Sequence, residues 1–289
     1  MITLRTIAEI RDHVAAARAT GSNIGLVPTM GALHDGHLAL MRAARDQCDE
    51  VVASLFVNPA QFDEASDLAA YPRDEARDAE LAAQAGVDVL FAPSAEAIYR
   101  PDFATTVTVS GLTDRLEGAV RGPGHFAGVC TIVTKLFNIV APDIAYFGAK
   151  DAQQVAVVRR MAADLDMPVR VEVVQTVREP DGLALSSRNI RLSLQERERA
   201  LALSEALLAA ESVARDGAAD PATAVRDAAR RALAARAVEP EYLELVDPDD
   251  FTVSEQPSGR VLLVLAARIG ATRLIDNTAL DLRPPAATG

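Results

Sequence analysis

Short apolar runs alternate with segments of helical periodicity between residues 23 and 177, and this alternation restricts the fold more than any other feature of the chain. The runs are largely apolar on both faces, as in strands that helices cover on both sides. Strands and helices in alternation are the pattern of βαβ units in a parallel sheet. The predicted strands are NIGLVPT, EVVASLFVN, VDVLFAP, DIAYFG and VRVEVVQTV. We therefore predict an α/β fold, with a Rossmann-like doubly wound parallel sheet over residues 1–180.

The pattern changes after Asn189, where two Ala-rich amphipathic segments precede three short apolar runs. The segments SLQERERALALSEALLAAESVARDG and DPATAVRDAARRALAAR predict two helices. The runs EYLELVD, RVLLVLAARI and TRLIDN predict strands. A second, smaller α+β domain is therefore expected over residues 181–289.

Charge and cysteine content exclude several classes of function. Forty-one acidic residues against 29 basic ones give a net charge of -12, which repels nucleic-acid phosphates. Two cysteines are too few for a disulfide framework or a zinc site, so a reducing compartment is expected. The N-terminus reads as a strand and a helix rather than a signal peptide, and no apolar run approaches the roughly 20 residues of a bilayer span. We expect a cytoplasmic protein that binds neither nucleic acid nor a membrane.

The segment PTMGALHDGH carries the strongest functional signal, because it follows the first sheet strand and opens a helix. Helix N-termini at this place in α/β folds bind phosphates. His34 and His37 are three residues apart, so on the first turn of a helix both imidazoles face one ligand. Such imidazoles can donate hydrogen bonds to charge that develops on a nucleotide phosphate. The alternative is that both histidines only cap a helix or lie on a surface loop.

Three further polar segments follow predicted strands. Two hydroxyls and a guanidinium in LALSSRN suit a polyphosphate, and FGAKDAQQ offers Lys150 as a point charge for phosphate. FVNPAQF offers Gln61 to the same crevice. Each segment alone is also consistent with a capped turn or a solvated surface. Four such segments at the carboxyl edge of one sheet favour a ligand site.

Together, PTMGALHDGH, FVNPAQF, LEGAVRGPGHFAGV, FGAKDAQQ and GLALSSRN resemble the pantothenate synthetase family, and the resemblance runs through the whole chain. HDGH and LSSR are similar to the HIGH-like and KMSKS-like elements of the wider nucleotidyltransferase superfamily. The resemblance implies that ATP, with Mg²⁺ bound through its phosphates, activates pantoate as an adenylate. The amine of β-alanine then attacks, and AMP and pyrophosphate are released. It also implies a homodimer, and we hypothesise that the second domain acts as a lid that shields the adenylate from water.

The resemblance also assigns roles to residues. His37, His34 and Lys150 are the implied catalytic residues, with His37 as the proton donor, and no residue is assigned as a metal ligand. Gln61 and Gln154 are implied to bind pantoate, with Gln61 also near β-alanine. The residues implied to bind ATP are Met30, Gly31, Ala32, Leu33, His34, Asp35, Gly36, His37, Gly148, Ala149, Lys150, Asp151, Val177, Leu185, Ser186, Ser187 and Arg188.

Some positions depart from the family pattern. Ala149 stands where the family usually has Glu or Gln, and Ala152 stands where it has an aromatic residue. Gly122 is an extra residue in the stretch that contains Arg121 and His125, and the roles of these two residues stay open. Two other functions also stay open. One is another HxGH nucleotidyltransferase, and the other is a catalytically silent nucleotide-binding module.

Overall fold

The computed structural model describes residues 1–62, 65–216 and 220–282. The chain divides into two compact units, one formed by Met1–Ala149 and Gln153–Gln175 and the other by Lys150–Ala152 and the chain from Thr176. The predicted domain boundary after residue 180 thus lies beyond this division, and Lys150 groups with the second unit. Among the described helices, none combines the length and the hydropathy that a bilayer span requires.

The first unit contains the predicted doubly wound sheet, and the fold class is confirmed. Six parallel strands lie in the order β1-β4-β3-β2-β5-β6. The central strands are almost completely buried, as their apolar sequences predict. The strands are β1 (Ile2–Leu4), β2 (Ile24–Thr29), β3 (Glu50–Leu55), β4 (Val89–Phe91), β5 (Ile144–Gly148) and β6 (Arg170–Val174).

Local sequence explains where the helices around this sheet begin and end. Thr6 caps the first helix through a capping box with Glu9, and Asp74 and Ser94 cap two later helices. Ala141 ends the longest helix of the unit in a left-handed conformation. The helices are α1 (Ile7–Ala19), α2 (Asp35–Gln47), α3 (Ala65–Ala70), α4 (Glu75–Gln84), α5 (Ala95–Ile98), α6 (Glu117–Arg121), α7 (Pro123–Val140) and α8 (Ala152–Asp164), with short 3₁₀ turns at Pro59–Gln61 and Ala149–Asp151.

The second unit packs two helices against an antiparallel sheet, as the sequence predicts. Its core consists of small and branched apolar side chains, including Ala206 and Leu207 from the first helix, Val225 from the second, and Leu263 and Leu265 from the central strand. The strand order is β7-β8-β9. The elements are a 3₁₀ turn (Asn189–Arg191), α9 (Leu194–Asp216), α10 (Pro221–Ala235), β7 (Pro240–Val246), β8 (Gly259–Ile269) and β9 (Thr272–Leu282).

Candidate active site

The order of the strands gives the first unit one topological switch point. From β2 the chain proceeds through β3 and β4 on one side, and it then returns to place β5 on the other side of β2. In open α/β sheets, ligands bind outside the carboxyl ends of the strands at such a point. Strand β2 ends at Thr29, just before the segment with the two histidines, and β5 ends at Gly148.

The two histidines sit at the first turn of α2, with their ring centroids 4.1 Å apart. His34 is the N-cap residue, and its Nδ1 accepts from the backbone N–H of Gly36 at 3.1 Å. The Nδ1 of His37 accepts from the backbone N–H of His34 at 3.4 Å. Since both Nδ1 atoms are acceptors, each neutral ring carries its proton on Nε2. Both histidines therefore cap the helix through Nδ1.

A buried carboxylate shapes the loop that precedes these histidines. Gly31 and Ala32 have positive φ angles of 83° and 51°. Asp78, on α4, accepts from the backbone N–H groups of Ala32 and Leu33, both at 2.8 Å. The residue is only 1% exposed. No local pattern marks Asp78 as part of the site, because its partners lie more than forty residues earlier in the chain.

The other predicted residues of this loop and of the first turn of α2 differ in burial. Met30 is half-buried, and Gly31 and Leu33 are buried. A side chain at position 31 would lie 3.0 Å from Oδ2 of Asp78 and 3.0 Å from Leu55, so only glycine fits without displacement. Asp35 is exposed on the first turn of α2, and the backbone N–H of Gly36 donates to the side chain of His34, the N-cap residue.

Gln61 ends the 3₁₀ turn after β3, and the fold brings it to the loop after β2. Its Nε2 lies 3.0 Å from the sulfur of Met30. Its backbone carbonyl accepts from Nδ1 of His125, on the first turn of α7, at 3.0 Å. Gln154, the other predicted pantoate residue, is half-buried in α8. The neighbouring Gln153 is buried and hydrogen-bonds to the segment before α6.

The stretch with the extra glycine links two helices. Gly122 has a φ of 81° and separates α6 from α7, a conformation that glycine adopts without strain. Arg121 pairs with the buried carboxylate of Glu117 at 3.1 Å. His125 lies in the first turn of α7, and its hydrogen bond to the backbone carbonyl of Gln61 connects α7 to the 3₁₀ turn that Gln61 ends.

The segment with Lys150 directly follows strand β5. Gly148 and Ala149 are half-buried, and there is open space where a side chain on Gly148 would lie. The ammonium of Lys150 lies 3.7 Å from the carboxylate of Asp151. Its backbone carbonyl accepts from Nδ2 of Asn277, on β9, at 2.9 Å. Lys150 and Asp151 thus belong to the second unit, and Asn277 is a residue that sequence reasoning missed.

The Ser-Ser-Arg segment follows a short hairpin in the second unit. The backbone N–H of Leu185 donates to the carbonyl of Val177 at 3.0 Å. The hydroxyl of Ser186 accepts from the backbone N–H of Arg188 at 3.3 Å. Leu185, Ser186, Ser187 and Arg188 are all half-buried. These residues form a compact turn with hydroxyl, amide and guanidinium donors, which suits an anion.

Asn189 ends this turn and hydrogen-bonds to the hairpin before it, where ion pairs lie. The Nδ2 of Asn189 donates to Glu179 at 2.8 Å and to the carbonyl of Ala184 at 3.1 Å. Hydrogen bonds from Arg197 lower the pKa of Glu179, so its carboxylate stays charged. Nearby, Arg178 is bidentate to Asp276 at 2.7 and 3.0 Å. Sequence reasoning did not assign Asn189 a role, although it follows Arg188 directly.

The cysteines lie outside these segments. Burial raises the pKa of Cys130 to about 11, and burial also raises the pKa of Cys48, whose sulfur lies 3.4 Å from the hydroxyl of Tyr146. Both are free thiols in the core. Among the described residues, no group of three or more His, Cys, Asp or Glu side chains is arranged to hold a metal ion.

Comparison with known proteins gives a consistent result. Residues 2–279 match the model of the pantoate-beta-alanine ligase family. The chain is 51% identical over 282 residues to a pantothenate synthetase of Moorella thermoacetica, covering 98% of this chain and 99% of that protein. It is also 51% identical over 285 residues to pantothenate synthetase 1 of Bradyrhizobium diazoefficiens, covering 98% of this chain and all of that protein.

Solved structures agree with these matches. A crystal structure of pantothenate synthetase from Thermus thermophilus superposes with a TM-score of 0.90 at 47% identity, covering 98% of this chain and 100% of that one. A pantoate-beta-alanine ligase from Francisella tularensis, in complex with β-γ ATP and β-alanine, superposes with a TM-score of 0.77 at 32% identity. That match covers 96% of this chain and 97% of the other.

Proposed function

The chain belongs to the pantoate–β-alanine ligase family, and we propose that it condenses pantoate with β-alanine through a pantoyl adenylate formed at the N-terminus of α2. One observation carries the assignment of the site. Two imidazoles lie side by side at the first turn of a helix beside the switch point, and each has Nε2 as its donor. The match to ligases over nearly the whole chain disfavours both a different HxGH nucleotidyltransferase and a silent nucleotide-binding module.

In the first half-reaction, the pantoate carboxylate attacks the α-phosphorus of ATP and pyrophosphate leaves. Negative charge moves from the carboxylate through the α-phosphate to pyrophosphate, so the site needs hydrogen-bond donors and cations rather than a protein nucleophile. The Nε2–H groups of His34 and His37 would donate to the phosphate oxygens, with His37 as the proton donor. The N–H groups at the start of α2 add a favourable dipole.

The remaining nucleotide contacts are proposed from the resemblance together with local geometry. Lys150 supplies a compact positive charge for the phosphates. The turn that Asn189 closes supplies further donors from Ser186, Ser187 and Arg188. The other proposed contacts lie in the loop before α2, on the first turn of α2, and beside the Lys150 and Ser-Ser-Arg segments: Met30, Gly31, Ala32, Leu33, Asp35, Gly36, Gly148, Ala149, Asp151, Val177 and Leu185.

Gln61 and Gln154 are proposed to bind pantoate. Gln61 suits this role because its amide nitrogen faces the thioether of Met30, a weak acceptor that a carboxylate or hydroxyl oxygen would replace. In the second half-reaction, the amine of β-alanine attacks the adenylate carbonyl near Gln61. The carbon–oxygen bond to AMP breaks, and AMP leaves with that oxygen.

Three further properties are proposed from the resemblance. ATP would carry Mg²⁺ on its phosphates, and the ion would neutralise part of their charge. The protein acts in the cytoplasm, which fits two buried thiols without a disulfide. It forms a homodimer, which light scattering coupled to size exclusion would test by giving twice the mass of the 30.6 kDa chain.

The test is pyrophosphate release from ATP and pantoate, with and without β-alanine, in the wild type and in His37→Ala. We expect release that depends on pantoate, and a decrease of about 10²–10³-fold in His37→Ala. The matched control is His13→Ala, because His13 pairs with Glu50 at the amino end of β3 and should not affect the rate. Release that does not depend on pantoate would refute the proposal.

A further inference from the structure

A buried amide lies behind the side chain of Gln61. Asn58 is 1% exposed, and its Nδ2 donates to Oε1 of Gln61 at 2.9 Å and to the carbonyl of Gly128 at 3.1 Å. Its Oδ1 accepts from the hydroxyl of Tyr99 at 2.8 Å and from the backbone N–H of Ala60 at 3.3 Å. Both donors and both acceptor sites of the amide are therefore used. The N–H of Ala60 and the carbonyl of Gly128 determine which end of this amide is oxygen, and Tyr99 supplies the second hydrogen bond to that oxygen.

This arrangement determines which end of Gln61 is available to a ligand. Because Oε1 of Gln61 accepts from Asn58, the amide cannot turn without placing two N–H donors against each other. Its Nε2 therefore points away from Asn58, toward the sulfur of Met30. A carboxylate or hydroxyl that replaced this sulfur would find a donor already oriented, and it would not have to order the side chain.

The ring of Tyr99 is held by its neighbours. Its centroid lies 5.1 Å from that of Phe103 and 6.1 Å from that of Phe56. The ammonium of Lys135 lies over Phe103 at 4.6 Å and over Tyr99 at 5.8 Å. Burial raises the pKa of Tyr99 to about 12, so the hydroxyl stays protonated and remains a donor to Asn58. The hydroxyl is thus fixed in position and in protonation state.

We propose that Tyr99 is a positioning residue for the acid substrate: through Asn58 it fixes the amide of Gln61 with its nitrogen toward the pantoate oxygens. This proposal rests on the proposed role of Gln61 in binding pantoate. The role requires no contact between Tyr99 and substrate or nucleotide. Tyr99 should therefore affect the affinity for the acid and leave the affinity for ATP unchanged.

The test is Tyr99→Phe, which keeps the ring and its packing and removes only the hydroxyl. One neutral hydrogen bond corresponds to roughly a two- to tenfold effect, so we expect kcat/KM for pantoate to fall about fivefold through KM. The KM for ATP and kcat should change by less than about twofold, since Tyr99 acts only through Gln61. The KM for β-alanine is measured as well, because Gln61 is also proposed to lie near this amine. Tyr146→Phe is the matched control, because it removes another buried hydroxyl, which contacts Cys48 and not Asn58. It should leave all three KM values unchanged.

A double-mutant cycle separates this role from a general structural one. In a Gln61→Ala background, measured as kcat/KM at low pantoate concentration, Tyr99→Phe should have no further effect, because the group it positions is absent. An equal fivefold loss in both backgrounds would overturn the proposal, as would an equal rise in all three KM values. Failure of the wild type to release pyrophosphate with pantoate would instead refute the proposed function. If the wild type is active and Tyr99→Phe leaves the KM for pantoate unchanged, this inference alone is refuted.

Discussion

Replacing Asp78 by Asn should release the loop that precedes the two histidines. Each carboxylate oxygen of Asp78 accepts one backbone N–H, from Ala32 and from Leu33, both at 2.8 Å. Asn has the same shape but only one oxygen, so its NH₂ group would face one of these N–H groups. The loop already holds Ala32 at a φ of 51°, a conformation that costs about 1–2 kcal/mol for a residue other than glycine.

The expected loss can be worked from these contacts. One charge-assisted hydrogen bond contributes about 1.5–3 kcal/mol, and a buried N–H left without an acceptor costs about 1–3 kcal/mol. These two estimates describe overlapping parts of one change, so we expect the free energy of unfolding to fall by about 2–4 kcal/mol. Because the loop carries Met30 to Leu33 and leads into His34, kcat for pyrophosphate release should also fall at least about tenfold.

Urea unfolding followed by circular dichroism measures the first effect, and steady-state pyrophosphate release measures the second. The control is Asp74→Asn, at the start of the same helix, where an exposed carboxylate caps α4 by accepting from the backbone N–H of Arg77. Asn caps helices about as well as Asp, so this variant should lose less than about 0.5 kcal/mol. If Asp78→Asn matched Asp74→Asn in stability and rate, the carboxylate would not determine the shape of the loop.

Three further predictions concern other residues. In Gly128→Ala, the new methyl would lie 2.7 Å from the backbone nitrogen of Gln61. We expect thermal unfolding to show a free energy of unfolding lower by about 1–3 kcal/mol, and steady-state kinetics to show a higher KM for pantoate. An unchanged KM for pantoate would contradict this prediction. In Arg197→Met, the pKa of Glu179 should return toward its unfolded value. The free energy of unfolding at pH 7 should then be higher for the wild type than for the variant, and this difference should shrink as pH falls below about 4.3 and Glu179 is protonated. Urea unfolding at several pH values measures it, and a difference that does not change with pH would contradict a contribution from the ion pair. Because burial raises the pKa of Cys130 to about 11, folded protein at pH 8 should react with iodoacetamide far more slowly than protein in urea; equal rates would refute this.

Much of the fold follows from periodicity. The strands around the switch point and the two helices of the second unit were predictable because buried strands and amphipathic helices have distinct apolar periods. The ends of the elements were less well defined. Strand β6 ends at Val174, although the apolar run continues to Val177, and α7 begins at Pro123, before its apolar stretch. Tertiary packing and proline geometry, rather than hydropathy, determine these ends.

The site was predictable only where a motif is local. His34 and His37 meet because three residues make nearly one turn of helix. Asp78 and Tyr99 were missed because their partners lie 45 and 41 residues away, at Leu33 and Asn58. Such contacts depend on how α4 and the segment after β4 pack, which no local pattern records.

Lys150 shows most clearly how the predicted domains differ from the observed units. Its position after β5 predicts membership of the first domain, yet it groups with the second unit. The physical reason is on β9, where Asn277 donates to the carbonyl of Lys150. A side chain 127 residues later in the chain thus holds the backbone of a residue that its position after β5 had placed in the first domain.

The central claim is that the pantoate carboxylate bonds to the α-phosphorus of ATP. Pantoate labelled with ¹⁸O in both carboxylate oxygens, incubated with ATP, β-alanine and the protein in unlabelled water, tests it directly by ³¹P NMR of the products. We predict that AMP gains one ¹⁸O atom and that the other remains in the amide of the product. Unlabelled AMP, or ADP together with labelled inorganic phosphate, would contradict it.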